Sequence, residues 1–153
     1  MIEPIRLAFE VDCPAAHAFD VWTNQLGTWW PKGHSTSGDR DTVVQLEPRI
    51  GGRIFERTSD GREIDWGEVT RWSPPSHLGY TWHIGRTGED ATAVDLTFVD
   101  LGDGRTRLDI VHSGWDRLGA EGAAWRNANT NGWSSLIPSF VAAMNVGGTG
   151  SVA

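Results

Sequence analysis

The stretch that decides the fold is WRNANTNGWSSLIPSFVAAM, Trp125 to Met144. Trp125, Asn129, Trp133, Leu136/Ile137, Phe140 and Met144 recur at helical spacing and share one face, so the segment reads as a long amphipathic helix. Asn131-Gly132 and Pro138 interrupt the pattern, which predicts a break near Gly132 and a kink near Pro138. Everything upstream has a different period. Apolar and polar residues alternate along about 42–47, 52–58, 63–73, 77–84, 92–101 and 105–114, which reads as six strands in series. Asp60-Gly61 and Asp103-Gly104 carry the chemistry of two-residue hairpin turns. Pro74-Pro75-Ser76 and Arg86-Thr87-Gly88 are looser separators. Short turns between successive strands imply an antiparallel meander.

A further strand opens the chain, where Ile5, Leu7, Phe9 and Val11 alternate with Arg6, Ala8, Glu10 and Asp12. Pro14 stops it and suits a first helical turn. Ala15, Ala18/Phe19, Trp22 and Leu26 then mark a helix over about 14–25 that Gly27 ends. Trp29-Trp30-Pro31 forms a second helical stub or turn, and the polar residues 32–41 read as a loop. A sheet of about seven strands must bury one face, and the C-terminal helix is the only element long and apolar enough to cover it. The expected fold is therefore α+β: a curved antiparallel sheet wrapped around a long C-terminal helix, with a small helix pair after the first strand. Residues 1–146 form one domain, and 147–153 (Gly-rich) form a flexible tail. A sheet curled around a single helix leaves room for a cavity between them.

Composition narrows the partners. The net charge of −7 argues against nucleic acid and anionic membrane surfaces. Nowhere do about 18 apolar residues run together, and no signal segment is evident, so no membrane association is expected. Cys13 is the only cysteine, which excludes an internal disulfide and fits a reducing, cytoplasmic setting. Nine tryptophans against one tyrosine indicate either a Trp-heavy core or an aromatic-lined cavity.

Several segments together resemble the START-like (SRPBCC) helix-grip superfamily, and within it the branch related to the heat-shock-protein ATPase activator homologue. They are Val11-Asp12-Cys13-Pro14-Ala15, Phe19-Asp20-Val21-Trp22, Trp29-Trp30-Pro31 and Glu47 through Glu56. Trp66-Gly67-Glu68-Val69, Trp72-Ser73-Pro74-Pro75, His112 through Arg117 and Gly132-Trp133 complete the set. They span nearly the whole chain in order. The resemblance implies the helix-grip fold; for function it implies only a range, from polyketide cyclases and lipid binders to stress and resistance proteins.

The candidate site comprises Phe55, Trp66, Tyr80, Trp82, His112, Trp125, Asn129 and Trp133. His112 shares parity with Leu108 and Ile110 and so points inward, either as a hydrogen-bonded core histidine or as a pocket donor and general base. Tyr80 and Trp82 share an inward face with Leu78 and Ile84. Asn129 lies among apolar helix residues and needs a partner, either nearby backbone or a ligand. Glu63, Asp65 and Glu68 read as a solvated strand face, and Arg49 and Arg53 as salt-bridging residues beside a bulge. No metal-ligand set, phosphate loop or nucleophile motif is present, so no cofactor or metal is expected. The leading expectation is a protein that binds an apolar or aromatic small molecule in an internal pocket, with protection against or sequestration of a natural product as one such role, and not an enzyme. A cyclase or dehydratase using His112 as acid/base, and a co-chaperone-like interaction module, are the alternatives. The ligand and the oligomeric state are not specified by the sequence.

Overall fold

The computed structural model describes residues 1–149, with side chains through Met144. The chain runs β1 (Ile5–Val11), α1 (Ala15–Thr23), α2 (Leu26–Trp29), β2 (Val43–Leu46), β3 (Arg53–Arg57), β4 (Glu63–Ser73), β5 (His77–Trp82), β6 (Thr92–Gly102), β7 (Arg105–Ser113) and α3 (Gly122–Thr149). Short 3-10 turns occupy Gly88–Asp90 and Trp115–Glu121. One seven-stranded antiparallel sheet holds the order β1-β7-β6-β5-β4-β3-β2. The meander supplies six strands, and β1 closes the far edge by pairing Ile5 with His112 and Val11 with Thr106. The expected α+β helix-grip architecture is the observed one. No helix among the described residues is long and apolar enough to cross a membrane.

Local chemistry explains the connections. The β6–β7 hairpin turns at Asp103-Gly104, both with positive φ (56° and 73°), the requirement of a type I′ turn. Asp60-Gly61 sits instead within a longer connection, in which the Thr58 N–H donates to the Arg62 carbonyl. The helix expected over 14–25 ends at Thr23, and Gly27 does not stop a helix but lies inside α2. A side chain at Gly27 would overlap the Val44 carbonyl oxygen, so glycine is what lets α2 lie against the edge strand β2.

The second correction concerns α3. It runs 28 residues without a break at Gly132 and continues through Pro138. Local propensity is overridden because the helix is fastened on both sides of its weak points. Trp133, Leu136, Phe140 and Met144 are buried against the sheet and α1, and the Ser139 hydroxyl donates to the Trp29 carbonyl. Tertiary burial of this kind contributes more to helix stability than intrinsic propensity does. The tail expected from 147 is helical through Thr149, and its remainder lies outside the described residues.

The three helices meet in an aromatic cluster. The Trp22 ring lies 4.8 Å from Phe140 and 5.0 Å from Trp29, and Trp29 lies 5.2 Å from Phe140. The Trp29 indole is satisfied by the Val21 carbonyl at 2.8 Å. On the outer face of the sheet Glu63 pairs with Arg53 (2.9 Å) and Arg57 (2.7 Å), and Asp65 with Arg53, so these carboxylates form the solvated strand face that alternation indicated. Trp22 is 2% exposed, and truncating a buried Trp costs about 3–5 kcal/mol. Trp22→Ala should therefore lower the urea midpoint accordingly; an unchanged midpoint would remove Trp22 from the core.

Candidate functional site

Between the concave face of the sheet and α3 lies a cavity of about 310 Å³, within the range of small-molecule sites. Trp22, Tyr80, Trp133 and Leu136 form its buried interior. Trp30 and Trp82, both half-buried, also line it. His34, Ser35 and Thr36 of the 32–42 loop, Ile84-Gly85 after β5, and Trp125, Ala128 and Asn129 of α3 complete the lining, several of them partly exposed. Five of the nine tryptophans line this one space. Gly132 contributes by what it lacks: a Cβ there would meet nothing within 4 Å, so the helix gives up side-chain volume to the cavity.

Five of the eight sequence candidates converge here: Tyr80, Trp82, Trp125, Asn129 and Trp133. Burial pushes the Tyr80 phenol above its ordinary pKa, opposed by the Trp22 indole N–H that donates toward its oxygen; the Tyr80 proton remains available to an acceptor in the cavity. Asn129 donates its amide N–H to the Trp125 carbonyl at 2.9 Å, the local bond that one of its two readings anticipated, and keeps its amide oxygen as an acceptor. Trp125 is held in place by Arg86, whose guanidinium sits 4.9 Å from its ring centroid and pairs with Asp90 (2.9 Å) and Glu121 (2.7 Å).

Three candidates lie elsewhere. Phe55 is on the opposite face of the sheet. It pairs with Gln45 and Asp65 in register, and Arg53 covers its ring at 4.1 Å with Arg57 at 5.6 Å. The inward residues of β3 are Ile54 and Glu56. Trp66 points inward but is sealed behind the cavity wall, 5.2 Å from Trp30 and 5.8 Å from Trp82, with its indole N–H unpartnered among the described residues.

His112 is fully buried behind Trp133 and does not line the cavity. The Trp133 indole N–H donates to Nδ1 at 3.1 Å, and Nε2 meets the Thr92 hydroxyl at 2.7 Å. Thr92 in turn donates to the Trp82 carbonyl at 3.0 Å. These directions assign a neutral ring with its proton on Nε2, donating to Thr92. Both nitrogens are occupied, and burial drives the pKa down to about 3. The pocket-donor and general-base readings of His112 are thereby replaced by that of a core histidine. Cys13 is equally unsuited to catalysis, since burial, reinforced by Asp12, pushes its thiol up to about 11.

The sequence reading missed the role of the 32–42 loop. Glu56, on the inner face of β3, is fully buried. Its carboxylate accepts from the Thr36 N–H (2.9 Å), the Thr36 hydroxyl (2.5 Å), Ser37 (2.8 Å) and Thr42 (2.8 Å). Burial works to raise its pKa, but these donors outweigh it and hold the group below the ordinary carboxylate value. Trp30 adds a bond from its indole to the His34 carbonyl at 2.7 Å. The signal was present: a carboxylate at inward parity requires donors, and a hydroxyl-rich loop supplies them.

A family profile described as activator of Hsp90 ATPase homolog 1-like protein matches residues 12–145. The chain belongs to this family. No curated protein sequence matches it significantly. Among solved structures it is similar to an anthrahydroquino-γ-pyrone synthase, Txn09, at 31% identity over 80% of this chain and 84% of that one, with a TM-score of 0.59. It shares its fold with CalC, a self-sacrificing resistance protein from Micromonospora echinospora (24% identity, 94% of both chains, TM-score 0.69). The same holds for PFC0360w, an HSP90 activator from Plasmodium falciparum (18%, 95% of both chains, TM-score 0.65).

Two outcomes test this geometry. His112→Phe orphans the buried Trp133 N–H and should cost about 1–3 kcal/mol at neutral pH. Because the folded pKa (about 3) lies below the ordinary 6.5, His112 stabilises fully above pH 6.5 and loses that contribution as pH falls toward 3. Chemical denaturation at pH 6.5 and pH 5 should show wild type losing about 2 kcal/mol that the variant does not lose; identical slopes would place the ring in contact with water. Glu56→Gln should release the loop, read as faster trypsin cleavage after Lys32 and Arg40; an unchanged cleavage rate would show that the carboxylate does not fasten it.

Proposed function

We propose that the protein binds a flat, largely apolar aromatic small molecule in the cavity between sheet and α3. The observation that carries this reading is the lining itself: Trp22, Trp30, Trp82, Trp125 and Trp133 around about 310 Å³. Indole faces stack on aromatic rings in offset or edge-on geometries and add to the area term. Tyr80 supplies a donor and Asn129 an acceptor, enough to orient a ligand carbonyl or hydroxyl. The similarity to a synthase whose name denotes a fused aromatic pyrone supports a polycyclic ligand. Sequestration of such a natural product, in a reducing cytoplasm that suits the single Cys13, is the role this reading favours.

The synthase similarity also supports a second reading, cyclisation of a bound polyketide. Tyr80, rather than His112, would then polarise the reacting carbonyl, because His112 has no nitrogen left to offer. The interaction-module reading draws less support: among the described residues the exposed large hydrophobic side chains are Met1, Val43 and Ile50, too few to make a patch of several hundred Å².

Titration with 1,8-dihydroxyanthraquinone should quench the tryptophan emission with one-to-one stoichiometry. Gly132→Phe fills space that nothing else occupies and should weaken that affinity by about tenfold or more, equivalent to about 1.4 kcal/mol, while leaving the protein folded. Quenching untouched by Gly132→Phe would locate the probe outside the cavity and overturn the reading.

A further inference from the structure

The 32–42 loop also builds a second concavity, of about 230 Å³, that shares Trp30, His34 and Ser35 with the aromatic cavity. Its chemistry differs. Lys32, the only lysine in the chain, and Arg40 both line it. Among the described residues Arg49, Arg53, Arg57, Arg62, Arg86, Arg105 and Arg107 are each paired with a carboxylate. Six cations are in no such pair, Arg6, Lys32, Arg40, Arg71, Arg117 and Arg126; of these Lys32 and Arg40 line the concavity, where Lys32 makes a 3.4 Å contact to the Arg40 carbonyl. The carboxylate that lines the concavity, Asp39, is already engaged. It accepts from the Ser59 N–H and hydroxyl, both at 2.7 Å, and from the Asp41 N–H at 2.8 Å.

A chain of net charge −7 has carboxylates to spare for every cation, yet it leaves two cations without one on a single concave surface. That surface is also preorganised. Glu56 fastens the loop through Thr36, Ser37 and Thr42, and Trp30 fixes His34, so little loop ordering remains to oppose binding. Cationic side chains on a prearranged loop beside an apolar cavity suit a ligand with an anionic group at one end.

We propose that Lys32 and Arg40 form an anion subsite that takes a carboxylate, sulfate or phosphate substituent of the aromatic ligand whose rings occupy the neighbouring cavity. The inference rests on the aromatic-ligand reading and adds a charge requirement to it. The test compares two probes of nearly equal shape, anthraquinone-2-carboxylate and the neutral anthraquinone-2-carboxamide, by tryptophan quenching. In wild type at low ionic strength the carboxylate should bind about tenfold more tightly, the effect of one modest charge-assisted hydrogen bond. The advantage should shrink in added salt. The double variant Lys32→Met/Arg40→Met should lose it while binding the carboxamide as wild type does, which also shows that the variant is folded. Equal affinity of the two probes in wild type, or an advantage that survives in the double variant, overturns the anion subsite and leaves the aromatic reading standing. Failure of both probes to bind overturns both.

Discussion

The indole of Trp133 donates to an imidazole that lies fully buried in the sheet, and the position of α3 depends on that bond. His112 can accept it only as a neutral ring, and burial keeps it neutral; its Nε2–H donates to the Thr92 hydroxyl, which donates in turn to the Trp82 carbonyl. Four residues from α3, β7, β6 and β5 are thus linked in one direction of donation with every group satisfied. Apolar packing would allow the helix to slide or rotate by small amounts. A buried donor with one acceptor does not, since leaving it unpaired costs about 1–3 kcal/mol. The cavity lies next to this fixed point, with Trp133 and Trp82 belonging to both. The polar residue that looked most like a catalyst is instead what keeps the helix at one height above the sheet.

The fold was legible because each element carried its own period and the order of elements left one arrangement. Strand parity placed His112, Tyr80 and Trp82 inward correctly. Phe55 was a candidate without such an argument, and parity is ambiguous there because β3 reads Arg53-Ile54-Phe55-Glu56-Arg57, with apolar neighbours side by side. An inward Phe55 would carry Arg53 and Arg57 inward with it, whereas an inward Ile54 carries only Glu56, which the loop can satisfy. The register shift between β3 and β4 near Ile54/Phe55 obscured the pattern further. The continuity of α3 through Gly132 and Pro138 was not legible, because the contacts that hold it come from other elements, as with Trp133 on His112, 21 positions away, and Ser139 on Trp29, 110 positions away.

Two kinds of aromatic residue emerge from a composition that did not distinguish them. Trp29, Trp66 and Trp115 are buried and lie off the cavity; Trp29 and Trp115 satisfy their indoles on backbone carbonyls. Trp30, Trp82 and Trp125 keep part of their surface open and are steadied by contacts behind them. For Trp30 this is the His34 carbonyl, and for Trp125 the Arg86 guanidinium. A recognition surface made of large rings held from behind has little conformational entropy left to lose on binding.

The pairing of β1 with β7 joins residues about a hundred positions apart, and α3 follows β7 in the chain. The cavity takes one wall from residues 22–36, a second from 80–85 and a third from 125–136, and it is enclosed only when the last helix has docked. During synthesis the aromatic faces of the first two walls emerge well before the third exists. Such non-local topologies fold slowly and expose apolar surface on the way. A ligand that stacks between walls can bind only after the final docking step, so it would act on the completed fold by slowing its opening and would do little to speed its formation.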